Sequence, residues 1–98
     1  MKIVRNVQFQ VKHGKADEFT RMLNNDVIPT LRKQEGFTHE FAMINGDRAL
    51  GISIWKDRAS ADKYENAGYS KVLETLAPII EGTPKVDTYE LAATSLPL

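Results

Sequence analysis

The chain reads as a single α+β domain of the ferredoxin-like split β-α-β type, a four-stranded antiparallel sheet with its helices on one face. Three observations carry that expectation. Apolar residues alternate with polar ones near both ends and in the middle of the chain, helical periodicity fills the two stretches between, and Asn45-Gly46 is a strong hairpin signal. At 98 residues there is room for one core, so residues 1–98 are taken as one domain.

In residues 3 to 11, Ile3, Val7, Phe9 and Val11 fall on one side and Asn6, Gln8 and Gln10 on the other, the pattern of a half-buried strand. Arg5 is the only charge on the apolar side. After Gly14 the period changes, and Ala16, Phe19, Met22, Leu23, Val27 and Leu31 make one helical stripe between about Lys15 and about Gln34. Asp17 and Glu18 in its first turn and Arg32 and Lys33 in its last suit the helix dipole. Pro29 cannot donate a backbone hydrogen bond, so a kink or a restart is expected near Asp26 to Ile28.

Gly36 closes the helix, and Phe37 to Ile44 and Leu50 to Trp55 read as antiparallel strands joined around Asn45-Gly46-Asp47, where Asn and Gly both tolerate positive φ. Asp57 is placed to cap a second helix that turns Ala61, Tyr64, Ala67, Val72, Leu73, Leu76, Ala77 and Ile80 inward. Gly68 is expected to divide that helix into two pieces. Gly82-Thr83-Pro84 reads as a break before a last strand, Lys85 to Ala93, and residues 95–98 as a loose tail. The order β-α-β-β-α-β leaves the second face of the sheet bare, with small and apolar residues from strands two and three on it, which predicts a homodimer.

Composition narrows the function. Thirteen Lys and Arg balance thirteen Asp and Glu with no block of like charge, which argues against a nucleic-acid partner. The absence of cysteine removes disulfides, thiolate metal sites and Cys nucleophiles. Apolar runs are shorter than the ~18 residues of a membrane span, and Met1-Lys2-Ile3-Val4-Arg5-Asn6 lacks a secretory core; a cytoplasmic protein without a membrane partner is expected. His13 and His39 stand 26 residues apart and give no metal-ligand spacing, and no phosphate-binding glycine loop or nucleophile elbow is present.

The segments Val11-Lys12-His13-Gly14-Lys15-Ala16-Asp17-Glu18-Phe19, Glu35-Gly36-Phe37 and Ser53-Ile54-Trp55-Lys56-Asp57 resemble, in order and spacing, the antibiotic biosynthesis monooxygenase (ABM) superfamily of dimeric α+β barrels over nearly the whole chain. The resemblance implies a homodimer whose sheets pack face to face, with a pocket in each subunit between helices and sheet. It also implies a spread of activities, from oxygenation of aromatic polyketides or quinols without metal or flavin to haem degradation. The haem-degrading members use an Asn, a Trp and a His at positions that read Val7, Tyr64 and Glu74 here, so that chemistry is not expected. Asn6 lies one residue off and on the opposite face.

Four kinds of residue are candidates for the site. His39 alternates with Phe37, Phe41 and Met43 on one strand face, where it is either a base for a phenol or hydroquinone or a hydrogen-bonded structural or interface histidine. Arg5 must either snorkel to an edge or pair with an anion, which is either a substrate carboxylate or phenolate or the side chain of Glu90 or Asp87. Tyr64 and Tyr69 flank Gly68 as a pocket wall or as core, and Trp55 closes its strand as a lid on the core or a seam between subunits. The first reading is therefore a cofactor-independent monooxygenase-like protein binding a small aromatic or quinone-like molecule, with His39 as base and Arg5, Tyr64, Tyr69 and Trp55 around the substrate. The alternatives are a non-catalytic ligand-binding or structural barrel dimer, for which a side-chain-filled pocket would speak, and a small-acid isomerase or decarboxylase.

Overall fold

The computed structural model describes residues 1–98, and its strands are β1 (Ile3–Val11), β2 (Phe37–Asn45), β3 (Arg48–Trp55) and β4 (Ile80–Glu90). Between β1 and β2 lie α1 (Ala16–Met22), a π turn (Leu23–Val27) and α2 (Ile28–Arg32). Between β3 and β4 lie α3 (Arg58–Lys63), a second π turn (Tyr64–Gly68), α4 (Tyr69–Leu76) and a 3₁₀ turn (Ala77–Ile79). The strands form one antiparallel sheet in the order β2-β3-β1-β4, so the fold is the α+β ferredoxin-like one.

Alternation decides which side chains meet the helices. β1 buries Ile3, Arg5, Val7, Phe9 and Val11, and β3 sets Trp55, Ser53, Gly51 and Ala49 opposite the first four of these. The helical segments close over that row with Phe19, Leu23, Val27 and Leu31 from one side and Ala61, Tyr64, Tyr69, Val72 and Leu76 from the other. Each large apolar side chain buried this way stabilises the layer by about 1.5–3 kcal/mol. Asp57 caps α3, its carboxylate accepting from Ser60 N–H at 2.8 Å.

Both helical stretches are interrupted, and each interruption has a local cause. Pro29 stands in the first turn of α2, and the widened turn immediately precedes it. Gly68 ends the second π turn where a Cβ would come within 2.7 Å of Gln34 Oε1 and 2.8 Å of Tyr64 Cδ1, so a bare backbone lets the two helical stretches approach.

Three expectations are corrected. Gly82-Thr83-Pro84 does not precede the last strand but forms a bulge within it: Gln8 pairs with Lys85 and Gln10 with Glu81, so the missing Pro84 N–H falls where no ladder bond is required. The strand ends at Glu90 rather than Ala93, and Leu91 N–H adds one bond to Lys2 carbonyl at 2.9 Å before residues 92–98 run on without helix or strand. The hairpin turn is Gly46-Asp47 between the paired Asn45 and Arg48, with positive φ at Gly46 alone.

The opposite face of the sheet carries no helix. Leu50, Ile52 and Ile54 of β3 run beside Phe41 and Met43 of β2 on one half, while β1 and β4 present Asn6, Gln8, Lys85 and Asp87 on the other, with Val4 and Tyr89 paired at its end. Phe41 and Met43 are 44% and 48% exposed, an apolar patch of the kind a monomer seldom leaves in water.

Candidate functional site

Arg5 lies on the helix side of the central strand β1 because it keeps phase with Ile3 and Val7, and it is 2% exposed. Its guanidinium carbon stands 4.5 Å from the ring centre of Tyr69 and 4.9 Å from that of Tyr64, a cation held under two phenol faces. Glu65, 45% exposed and presented by the second π turn, accepts a charge-assisted hydrogen bond from Arg5 Nη2. The expected partners Glu90 and Asp87 are not beside it: Arg5 pairs across the ladder with Thr88, Asp87 pairs with Asn6 on the other face, and Glu90 pairs with Ile3. Arg5 Nε and the Tyr69 hydroxyl are buried and without partners.

Trp55 stands behind this group. Its indole stacks on Tyr64 at 4.8 Å and 23°, meets Phe37 edge-on at 5.6 Å, and donates its N–H to Ser53 Oγ at 2.8 Å. It backs Tyr64 and does not itself line the cavity beside Arg5.

A bulge in β2 decides the rest. Phe37 pairs with Trp55, yet His39 pairs with Ile54, so Thr38 is an extra residue whose hydroxyl donates to the Ile54 carbonyl at 2.7 Å. Beyond it the alternation is inverted relative to Phe37. His39, Phe41 and Met43 point to the open face, and Glu40, paired with Ser53, points to the helices. His39 therefore stands on the far side of the sheet from Arg5, Tyr64 and Tyr69, and the expectation of a His39 base in the helix-sheet pocket is corrected. Glu40 takes its place in one row with Ser53 and Arg5.

Burial pushes the Glu40 carboxyl up to about 8, against the pull of the Arg5 charge. Burial likewise raises the Tyr64 and Tyr69 phenols, with Arg5 again opposing, so both stay neutral hydroxyls. A Glu40 value above the ordinary 4.5 means that the folded chain holds a proton the unfolded chain has released. Stability contributed by that proton is fully present below about pH 4.5 and is lost as pH rises to about 8. Urea midpoints of the wild type are expected to fall across this window, and Glu40→Gln is expected to flatten that part of the profile.

Two cavities meet at Glu40. An inner one of about 30 Å³ lies among Arg5, Glu40, Ser53, Tyr64 and Tyr69. An outer one of about 230 Å³ opens between α1, the first π turn and β2, lined by Thr20, Leu23, Asn24, Ile28, Glu40 and Ala42. A third, about 170 Å³, reaches Arg5 and Glu65 from the β4 side. The largest, about 450 Å³, is a concavity of the open face among Gln8, Gln10, Met43, Arg48, Leu50 and Lys85, away from the Arg5 group. Three or more His, Asp or Glu side chains nowhere come together as a metal-ligand set, and no helix is long and apolar enough to cross a membrane.

These features define a class: small ferredoxin-like α+β domains with a charged, aromatic-walled cavity between helices and sheet. Residues 2–74 match the antibiotic biosynthesis monooxygenase family, and the chain belongs to that family. No curated protein matches it. Among solved structures, the NE2512 protein of Nitrosomonas europaea is similar at 23% identity and a TM-score of 0.79, over 99% of this chain and 95% of that one. SnoaB of Streptomyces nogalater, a cofactor-independent oxygenase, is similar at 17% identity and 0.75, over 99% and 98%. The ActVA-Orf6 monooxygenase of Streptomyces coelicolor, in complex with nanaomycin D, is similar at 17% and 0.76, over 98% and 92%. At these identities the likeness is one of fold.

Proposed function

We propose that the chain binds a small hydroxylated aromatic between its helices and its sheet and oxygenates it with dioxygen, using no cofactor. The observation that carries this reading is Arg5, a buried cation with an unpartnered Nε between two neutral phenols. A phenol or hydroquinone must give up its proton before it can pass an electron to dioxygen, and a fixed buried cation stabilises the phenolate that results. The balance closes without a reductant: at a ring carbon conjugated with the hydroxyl one oxygen atom becomes a new carbonyl, and the other leaves as water with that carbon's single hydrogen and the hydroxyl proton, the product being a quinone. The descriptions of SnoaB as a cofactor-independent oxygenase and of ActVA-Orf6 as a monooxygenase with bound nanaomycin D support the same reading. Oxygen uptake on a panel of hydroquinones and hydroxynaphthalenes tests it. Protein-dependent uptake that disappears in Arg5→Met is expected, and no uptake above the buffer rate across the panel overturns it.

The inner cavity favours a second reading, a ligand carrier or structural dimer, because about 30 Å³ is far below the ~300 Å³ of an ordinary ligand site. Binding of aromatic ligands without turnover, or no binding at all, decides for that alternative.

We also propose that two copies pair open face to open face, covering Phe41, Met43, Leu50 and Ile52. His39 then becomes an interface residue. Sedimentation is expected to show a dimer at micromolar concentration and a monomer for the double variant Phe41→Asp, Met43→Asp; a monomeric wild type overturns the pairing.

A further inference from the structure

We propose that the site has a ring compartment between α1 and β2 and an oxygen compartment beneath it, and that Glu40, in the wall between them, takes the hydroxyl proton of a bound phenol. The proposal rests on the oxygenase reading for its substrate class. Its grounds are geometric and belong to this chain's own residues.

The outer cavity has the volume for one or two fused rings, about 230 Å³, and is walled by Leu23, Ile28 and Ala42 with Thr20 and Asn24 at its side. The inner cavity, about 30 Å³, has room for little more than an oxygen atom or a water. Two buried polar atoms of residues lining this inner cavity, Arg5 Nε and the Tyr69 hydroxyl, lack partners, as do Asn6 Oδ1 and His39 Nδ1 elsewhere, whereas such groups in folded proteins are nearly always satisfied. A ligand oxygen is the group that would complete them. Only Leu23 and Glu40 are common to both cavities, so a ring in the outer one reaches the inner one past the Glu40 carboxylate. Leu23 opens the first π turn, where the regular helical ladder is interrupted.

In the transfer, the phenol O–H bond breaks and an O–H bond forms on the Glu40 carboxylate. The negative charge moves from Glu40 to the phenolate oxygen, the total charge of the cavity is unchanged, and Arg5 faces the charge before and after. The groups that face Glu40 are Arg5 from β1, Ser53 from β3, Tyr64 and Tyr69 from the second helical stretch, and Thr20 and Asn24 from α1 and the first π turn; Glu65 lies behind Arg5. Arg5 is the only cation among them. The Glu40 carboxyl, pushed up to about 8, is in part ionised at that pH, and there its carboxylate can take the proton.

The test uses 2-naphthol, which is neutral in water at about pH 8 and whose anion absorbs at longer wavelength, so binding and ionisation are read without any oxygenation. The wild type is expected to bind it as naphtholate, the anion fraction following the carboxyl titration of Glu40 seen by carbon NMR. In Glu40→Gln the anion band is expected to vanish and binding at that pH to weaken by about ten- to hundredfold, the loss of a charge-assisted hydrogen bond. Ala42→Trp, which fills the ring compartment, is expected to abolish binding and leave the Glu40 titration in place. An equal anion band in wild type and Glu40→Gln, undiminished binding by Ala42→Trp, or no binding by the wild type overturns the inference. Naphtholate binding together with no oxygen uptake on the hydroquinone panel overturns the oxygenase reading and leaves Glu40 as the proton acceptor.

Discussion

Trp55→Ala is expected to destabilise the domain by about 3–5 kcal/mol, the range for deleting a large buried aromatic. The total stability of a domain of this size is about 5–15 kcal/mol, so the variant loses a large share of it. Trp55 is fully buried, stacks on Tyr64, meets Phe37 edge-on and satisfies its indole N–H on Ser53 Oγ. No neighbour can refill the void, because Tyr64 is itself held between Trp55 and Arg5. Trp55→Phe keeps a ring against Tyr64 and gives up one hydrogen bond, leaving the Ser53 hydroxyl in search of a partner, and is expected to lose about 1–2 kcal/mol. Urea unfolding followed by far-ultraviolet circular dichroism measures both, since the chain has a single Trp and its fluorescence is lost with it. A loss below about 1 kcal/mol for Trp55→Ala would mean that the layer repacks, contrary to the interlocked contacts described.

The same residues show why some of the molecule was legible from sequence. Where a strand runs without interruption, as β1 does, alternation places Arg5 among Ile3, Val7 and Phe9, and the ladder agrees residue by residue. The first helical stripe and the Asp57 cap are local patterns and were equally legible, whereas in the second stretch Ala61, Tyr64, Val72 and Leu76 are buried but Ala67 and Ala77 are exposed and Ile80 belongs to β4. Bulges were not. One extra residue at Thr38 separates Phe37 from His39, so continuing the alternation from Phe37 puts the imidazole on the wrong side and hides Glu40. Counting pairs outward from the hairpin turn would have avoided this: Asn45 opposite Arg48 leads to Ala42 opposite Gly51 and Glu40 opposite Ser53, and Ser53 stands opposite Arg5. Glu65 gave no such signal. Its pairing with Arg5 depends on how the second π turn settles over the sheet, a long-range placement that no periodicity records.

Arg5→Ala and Arg5→Met are expected to separate the two things Arg5 does. The alanine variant leaves a void under the rings of Tyr64 and Tyr69, which is expected to destabilise by about 2–4 kcal/mol. Methionine restores most of the volume. Glu65, about half exposed, then turns to solvent instead of being stranded as a buried charge. Replacing an ion pair of this kind by apolar volume is often neutral or better, and the lost cation–π attraction of about 0.5–2 kcal/mol offsets part of that gain. Arg5→Met is therefore expected to stay within about 1 kcal/mol of wild type in urea while losing both naphtholate binding and oxygen uptake. It also removes the charge that draws the Glu40 carboxyl down, so Glu40 is expected to titrate above its wild-type value of about 8, and the pH at which stability stops falling moves up with it. Equal destabilisation of the two variants would show that the pairing of Arg5 with Glu65 holds the second helical stretch to the sheet. Stable folding of Arg5→Met with an upward shift at Glu40 instead assigns the buried guanidinium to the cavity's electrostatics, and then its burial between two phenols is a feature of the site and not of the core.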